Sequence, residues 1–448
     1  MPLFLTTNRS VKLLSTVILI GILCSCHKRD LPFPRPQEEE NADVVYAWYK
    51  FIAQTQRPAN PQPVVILANR NFGFIGVGLY EAVRPGAKGS ASLSSWLYQM
   101  PAMPEADLSK EYLWSESANA ALASMFKLFL VNLTDANKVS IDSMENANYN
   151  RFSTDNSDAV LMRSQAFGRA IAEAIYNWST TDNFNLSNVG YVPPPVTPSS
   201  WIPTPPAFAT VGPFLQNSRP FLAYSLTAIA PPPIPFSEDK SSSFYKANNE
   251  VYEIGKNLTD ERKAIANWWA DAGGAAVGVP APYHLLSIIT WVQEDRKAKL
   301  LQAAEVYAKT GIGLKDGAII TFRSKYHYNL IRPITYIQRN IDTAWQSYLV
   351  TPPYPDYTSG LVGLYSPVIN VLKNEYGDID VTDNTYDWRG LPARHFTSLS
   401  NLLDEAAVSR VYAGIHYRFT QEISIKLGKQ LADEIDDIKL LPNKYKHP

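Results

Sequence analysis

The chain is predicted to be all-α, a large helical bundle, on three observations. Apolar residues recur at helical spacing in long stretches over most of its length. Hydrophobic residues make up 46% and aromatic residues 12% of its 448 positions, enough to bury a substantial core. The one long region that excludes regular helix, about 187–235, is Pro-rich yet studded with aromatic residues, so it reads as a packed extended segment. A formal net charge of −1 leaves no electrostatic footprint for nucleic acid.

The first residues read as a targeting segment rather than structure. Arg9 and Lys12 precede an apolar run, Leu13 to Leu23, that is short for a membrane span. The run ends in Leu23-Cys24-Ser25-Cys26, which resembles the lipobox of bacterial lipoproteins and implies cleavage before Cys26 and lipidation of its sulfur. Residues 1–25 are therefore expected to be a signal peptide and 26–41 a Pro- and Glu-rich tether. Both cysteines lie in this region, so the folded part is expected to hold neither disulfides nor thiolate metal sites.

Beyond the tether, helical periodicity predicts helices over about 42–56, 63–83, 109–131, 134–151 and 157–178. These form an N-terminal half, 42–240, that ends in the Pro-rich segment, where Trp201, Phe208, Phe214 and Phe221 are expected to pack onto the helical body. The C-terminal half, 241–448, is predicted to hold helices at about 243–255, 259–273, 282–309, 311–332, 360–373, 404–413 and 420–438. The apolar run Leu285 to Val292 is closed by Glu294, Asp295 and Arg296 and is expected to be a buried helix rather than a span.

This second half carries the chemistry. In order it presents Lys325, Arg332-Pro333, Ser359-Gly360, then Ser409-Arg410 and His416. Fixed cations, neutral donors and one imidazole are what a tetrahedral oxyanion requires in a dry site. Lys325, Arg332 and Arg410 would offset its charge, arginine being suited to bidentate contact. Ser359 and the Gly360 backbone would add donors, and His416 would attack or ligate the central atom. Lys325 and Arg332 are seven residues apart and are expected on one face of one helix, ending at Pro333. Ser359 is expected at a helix N-terminus, where free N–H groups favour an anion.

The order and spacing of these blocks resemble the three-part signature shared by vanadium-dependent haloperoxidases and the type-2 phosphatidic acid phosphatase superfamily, which includes bacterial acid phosphatases. The resemblance extends upstream through Trp201 to Pro206. It implies a helical bundle like that of vanadium chloroperoxidase and the soluble acid phosphatases. It also implies either peroxide-dependent halide oxidation with vanadate bound through His416, or phosphomonoester hydrolysis through a phosphohistidine at His416. Vanadate is the implied cofactor in the first case, and none in the second. The expected partners are a small oxyanion with peroxide and halide, or a phosphomonoester, with membrane contact through the N-terminal lipid alone. The expected location is the bacterial cell envelope.

Two positions depart from that signature. Leu361 stands where the family usually has an acid-base histidine, and leucine moves no proton. Thr420 stands where an acidic residue often orients the nucleophilic imidazole; it would accept that hydrogen bond without charge, or simply cap a helix. His395, in a predicted loop, is the candidate substitute acid-base group, whereas His327 lies about 200 degrees round the helix from Lys325 and should face away. Glu405 is expected to pair with an arginine, and His284 and His447 to be structural or exposed. The competing reading is a non-catalytic lipoprotein that keeps the scaffold and the oxyanion pocket for binding or envelope assembly.

Overall fold

The computed structural model describes residues 40–56, 64–130, 133–206, 209–271 and 278–442. Cys26, the expected signal segment, the expected tether up to position 39, Phe208 and His447 lie outside them. Among the described residues the chain forms thirteen α-helices and one two-stranded hairpin. None of these helices is long and apolar enough to cross a membrane.

The N-terminal helices are α1 (Asp43–Gln56), α2 (Val65–Val83), α3 (Trp114–Phe129), α4 (Asp135–Phe152) and α5 (Asp158–Ser179). Their entry point lies within the expected tether. Glu40 is 9% exposed, and its carboxylate accepts from the Trp114 and Ser115 N–H groups at 3.1 and 2.7 Å. An anion there satisfies donors that the first turn of α3 cannot pair internally.

The second half contains α6 (Ser243–Lys256), α7 (Asp260–Trp268), α8 (Ala281–Asp295), α9 (Leu300–Tyr328), α10 (Pro333–Asn340), α11 (Val362–Tyr376), α12 (Leu399–Tyr412) and α13 (Arg418–Asp436). The hairpin, β1 (Val381–Asp383) with β2 (Arg394–Phe396), lies between α11 and α12. The 29-residue α9 is buried on nearly every side and is the axis of the core, as expected of a helix that lacks a polar face. Glycines let its neighbours approach: a Cβ at Gly76 of α2 would collide with the Tyr307 carbonyl, and one at Gly317 with the Gly363 carbonyl of α11. Helix α9 starts at Leu300 rather than mid-way through a 282–309 helix, because the chain breaks at Lys297, whose φ is +52°.

The Pro-rich segment is strapped along α9. The Phe221 and Leu222 N–H groups donate to buried Asp316, each at 2.8 Å, and Ala230 N–H to Ser324 Oγ at 3.0 Å. Trp201 and Phe221 are buried. Ser200 bridges Leu330, just past the end of α9.

Candidate oxyanion site

Lys325 and Arg332 do not share a helix. Asn329 adopts the left-handed conformation, φ +46°, and caps α9, so Arg332 becomes the N-cap of α10. The intervening residues instead pair with the Pro-rich strap, Ile331 N–H donating to Ser199 O at 2.8 Å. Both side chains nevertheless turn inward and are fully buried.

Three prolines shape the loop that faces them, and its carbonyls take up their donors. Lys325 Nζ donates to Pro355 O at 2.8 Å and Asp356 O at 3.1 Å, and Arg332 Nε donates to Tyr354 O at 2.9 Å. The Tyr354 ring lies under both cations, 4.6 Å from Nζ and 5.2 Å from Cζ. Arg332 Nη1 reaches Ile415 O at 2.7 Å and His416 Nε2 at 3.1 Å, while its Nη2 has no partner. Arg410, near the end of α12, donates through Nη1 to Trp269 O and leaves Nε unpaired.

His416 sits in the turn between α12 and α13, following Gly414 at φ +75°, and is 2% exposed. Its Nδ1 is 2.8 Å from Asp356 Oδ1. Thr420 Oγ1 donates to Asp356 Oδ2 at 2.6 Å, so one carboxylate is gripped from both sides. Burial and the three surrounding cations, Arg332, Lys325 and Arg410, hold the imidazole's pKa well below its usual value. The ring is thus neutral near pH 7. With Nδ1–H donating to Asp356, its Nε2 lone pair faces the Arg332 guanidinium. Burial raises Asp356 to about 6 against the opposing pull of Arg332, Thr420 and Lys325.

Ser359 and Gly360 meet this cluster from the start of α11. Ser359 N–H donates to Ser424 Oγ at 2.9 Å, and that hydroxyl donates to Thr420 O at 2.6 Å. Ser359 Oγ accepts from Val362 N–H at 3.4 Å, the capping contact expected at a helix start. His416, Arg410, Gly360 and Leu361 line one cavity of about 440 Å³, to whose lining Lys325, Arg332 and Ser359 do not contribute. Three buried cations are set against two carboxylates, Asp356 beside Lys325 and Arg332 and Asp271 near Arg410, with two guanidinium nitrogens unpaired. Such an excess is costly without an anion.

The stretch that carries these residues, 305–439, matches the family model of the VCPO second helical-bundle domain. The structure is similar to that of the first bacterial vanadium-dependent iodoperoxidase, with a TM-score of 0.80 and 27% identity, covering 90% of this chain and 98% of the other. The chain has the helical vanadium haloperoxidase fold. The holo form of a bacterial vanadium-dependent chloroperoxidase has a similar fold, at TM-score 0.62 and 16% identity, covering 89% of this chain and 98% of that one. The apo form aligns at TM-score 0.64 and 15% identity, covering 90% and 98%. No curated protein matches.

Against the superfamily signature, the acidic group is present but has moved. Thr420 neither caps a helix nor touches the imidazole. It lies inside α13, whose N-cap is Tyr417, and serves Asp356. The sequence signal was an acid three residues before Ser359 coinciding with a hydroxyl in the usual acidic position.

His395 is not brought to the cavity. Strand alternation sends Phe396 of β2 into the core and leaves His395 exposed opposite Thr382, 3.2 Å from its Oγ1. His327 is exposed and Glu405 pairs with Arg394 at 2.6 Å.

His284 proves deeply buried. Its Nδ1 lies 2.9 Å from Asp271 and its Nε2 2.7 Å from Asp383, with Trp269 stacked on the ring. Tyr365 and Tyr386 donate to the same Asp271 carboxylate. Burial opposes the charged imidazole, but Asp383 and Asp271 outweigh it and push His284 up to about 10. A raised folded-state pKa contributes stability that is complete below the unfolded value of about 6.5 and lost as pH rises through about 10. The urea midpoint is therefore expected to fall between pH 7 and 10, and His284→Gln to flatten that slope while costing about 3–5 kcal/mol at pH 7. An unchanged slope in the variant would remove His284 as its source.

Proposed function

We propose that the protein is a vanadate-dependent haloperoxidase that uses hydrogen peroxide to oxidise iodide or bromide. The observation that carries this reading is the buried imidazole of His416, held by Asp356 at Nδ1 and met by Arg332 at Nε2, within a buried cluster of cations that leaves two guanidinium nitrogens unpaired. Vanadate suits this donor set. His416 would ligate it through Nε2, Arg332 and Arg410 would donate to its oxygens, and Lys325 would balance their charge. Ser359 and the Gly360 N–H would supply neutral donors. When bound, vanadate supplies Lewis-acid activation of peroxide. The Asp356 carboxylate keeps the Nδ1 proton in place, so that the Nε2 lone pair stays directed at the site.

A phosphomonoesterase would use the same anion contacts but must protonate a leaving group, and Leu361 offers no proton there. The Leu23-Cys24-Ser25-Cys26 run supports a lipid anchor at Cys26 and a place in the cell envelope. The test is equilibrium dialysis against vanadate, followed by peroxide-dependent triiodide formation. His416→Ala is expected to weaken vanadate binding about 10- to 100-fold. Vanadate binding with neither halide oxidation nor p-nitrophenyl phosphate hydrolysis would favour a binding module. Phosphate-ester hydrolysis without halide oxidation would favour the phosphatase.

A further inference from the structure

The cavity that meets His416 and Arg410 is far larger than an oxyanion needs, and its remaining wall is mostly apolar. Val65, Val211, Phe322, Pro353, Leu361 and Leu364 contribute to it. A volume of about 440 Å³ falls in the range that holds small organic molecules. Within this wall stands Asn69 of α2, 1% exposed, with neither its Oδ1 nor its Nδ2 hydrogen-bonded. Buried amides are nearly always paired, so an orphan in a cavity wall requires a reason. Asp271, another polar residue of this wall, is by contrast saturated by Tyr365, Tyr386 and His284.

We propose that this cavity is a binding site for an uncharged organic molecule with an apolar body and an amide- or lactam-type edge, read by Asn69 beside the oxyanion site. An amide edge offers one acceptor and one donor side by side, the complement of the free Nδ2–H and Oδ1. Leu361 then has a positive role, as part of the apolar wall against which the body packs. This inference rests on the proposed function only for the identity of the anion alongside; the organic site stands on its own geometry.

The test uses full-length protein and two probes of matched shape, 2-naphthamide and 2-methylnaphthalene, read by displacement of N-phenyl-1-naphthylamine fluorescence. Wild type is expected to bind the amide at least about tenfold tighter than the hydrocarbon, the worth of one added hydrogen-bonded contact. Asn69→Leu is expected to erase that preference, leave vanadate affinity unchanged, and keep or raise the Tm of the ligand-free protein, because it replaces an unpaired buried amide with an apolar side chain. A structural asparagine would behave oppositely, so a lowered Tm overturns the proposal. Equal affinity of wild type for both probes overturns it too, as does failure of 2-naphthamide to bind, which would leave the cavity to water. Should Asn69→Leu fail to fold, Val350→Trp at the exposed rim serves instead. It must weaken both probes at least about tenfold by filling the cavity, and unchanged binding would sink the idea.

Discussion

Asp356→Asn is expected to lower halide-oxidising turnover by about 10²- to 10⁴-fold without unfolding the protein. The substitution preserves shape and can still hydrogen-bond Thr420, but it removes the negative charge 2.8 Å from His416 Nδ1. An amide can also turn its NH₂ toward the ring, which would force the proton onto Nε2 and hide the lone pair the site depends on. The sharper test exploits the relocation. In the superfamily signature the acid follows the histidine by four positions, whereas here that position is Thr420, and Asp356 arrives from sixty residues earlier in the chain. If the carboxylate alone matters, Asp356→Thr combined with Thr420→Asp should recover at least tenfold over Asp356→Thr alone, since the same two side-chain types face each other across the same 2.6 Å contact. Recovery is measured in kcat with vanadate saturating, so that weakened loading does not pass for lost orientation. A double variant no better than the single would show that Asp356 acts through the loop carbonyls it positions for Lys325 rather than through its charge.

That relocation marks where sequence reasoning stopped. Lys325, Arg332, Ser359, Gly360, Arg410 and His416 were visible because each block has rigid internal spacing, set by a helix end or a tight turn. Asp356 belonged to no block. Its partnership with His416 exists only once the Pro-rich loop folds back on the end of α9, and local pattern does not report such a contact. The same reason hid Asn69, which reads along α2 as the first of a short polar run, Asn69-Arg70-Asn71, in a largely apolar helix. Helix positions were legible from periodicity, but the junction between α8 and α9 was not, because the polar run Gln293 to Lys297 reads equally as an exposed helix face and the break is made by a single left-handed residue, Lys297. Three-residue strands are too short to show alternation, so the hairpin was invisible, and with it the outward orientation of His395. The aromatic residues of the 187–235 segment announced packing, yet not the buried Asp316 that anchors its backbone.

Leu361→His is expected to raise p-nitrophenyl phosphate hydrolysis by about 10²-fold or more, the contribution of a positioned general acid. Leu361 is half-buried at the threshold of α11 and shares the cavity wall with Gly360, Arg410 and His416, so an imidazole there would share that cavity with His416 and Arg410. The gain should be confined to acid pH. Arg410 and the cations behind it lower the pKa of any nearby imidazole, so the protonated form that donates to a leaving group persists only below the usual value of about 6.5. Activity should therefore rise as pH falls, until anion binding itself weakens. The same substitution makes the wall polar and should weaken binding of 2-methylnaphthalene, linking loss of the apolar surface to gain of the proton donor. A variant that binds vanadate as tightly as wild type yet gains no hydrolysis at any pH would mean that the leaving-group side of the anion does not face position 361. The absence of histidine there would then reflect the demands of an apolar co-substrate rather than a missing step in the chemistry.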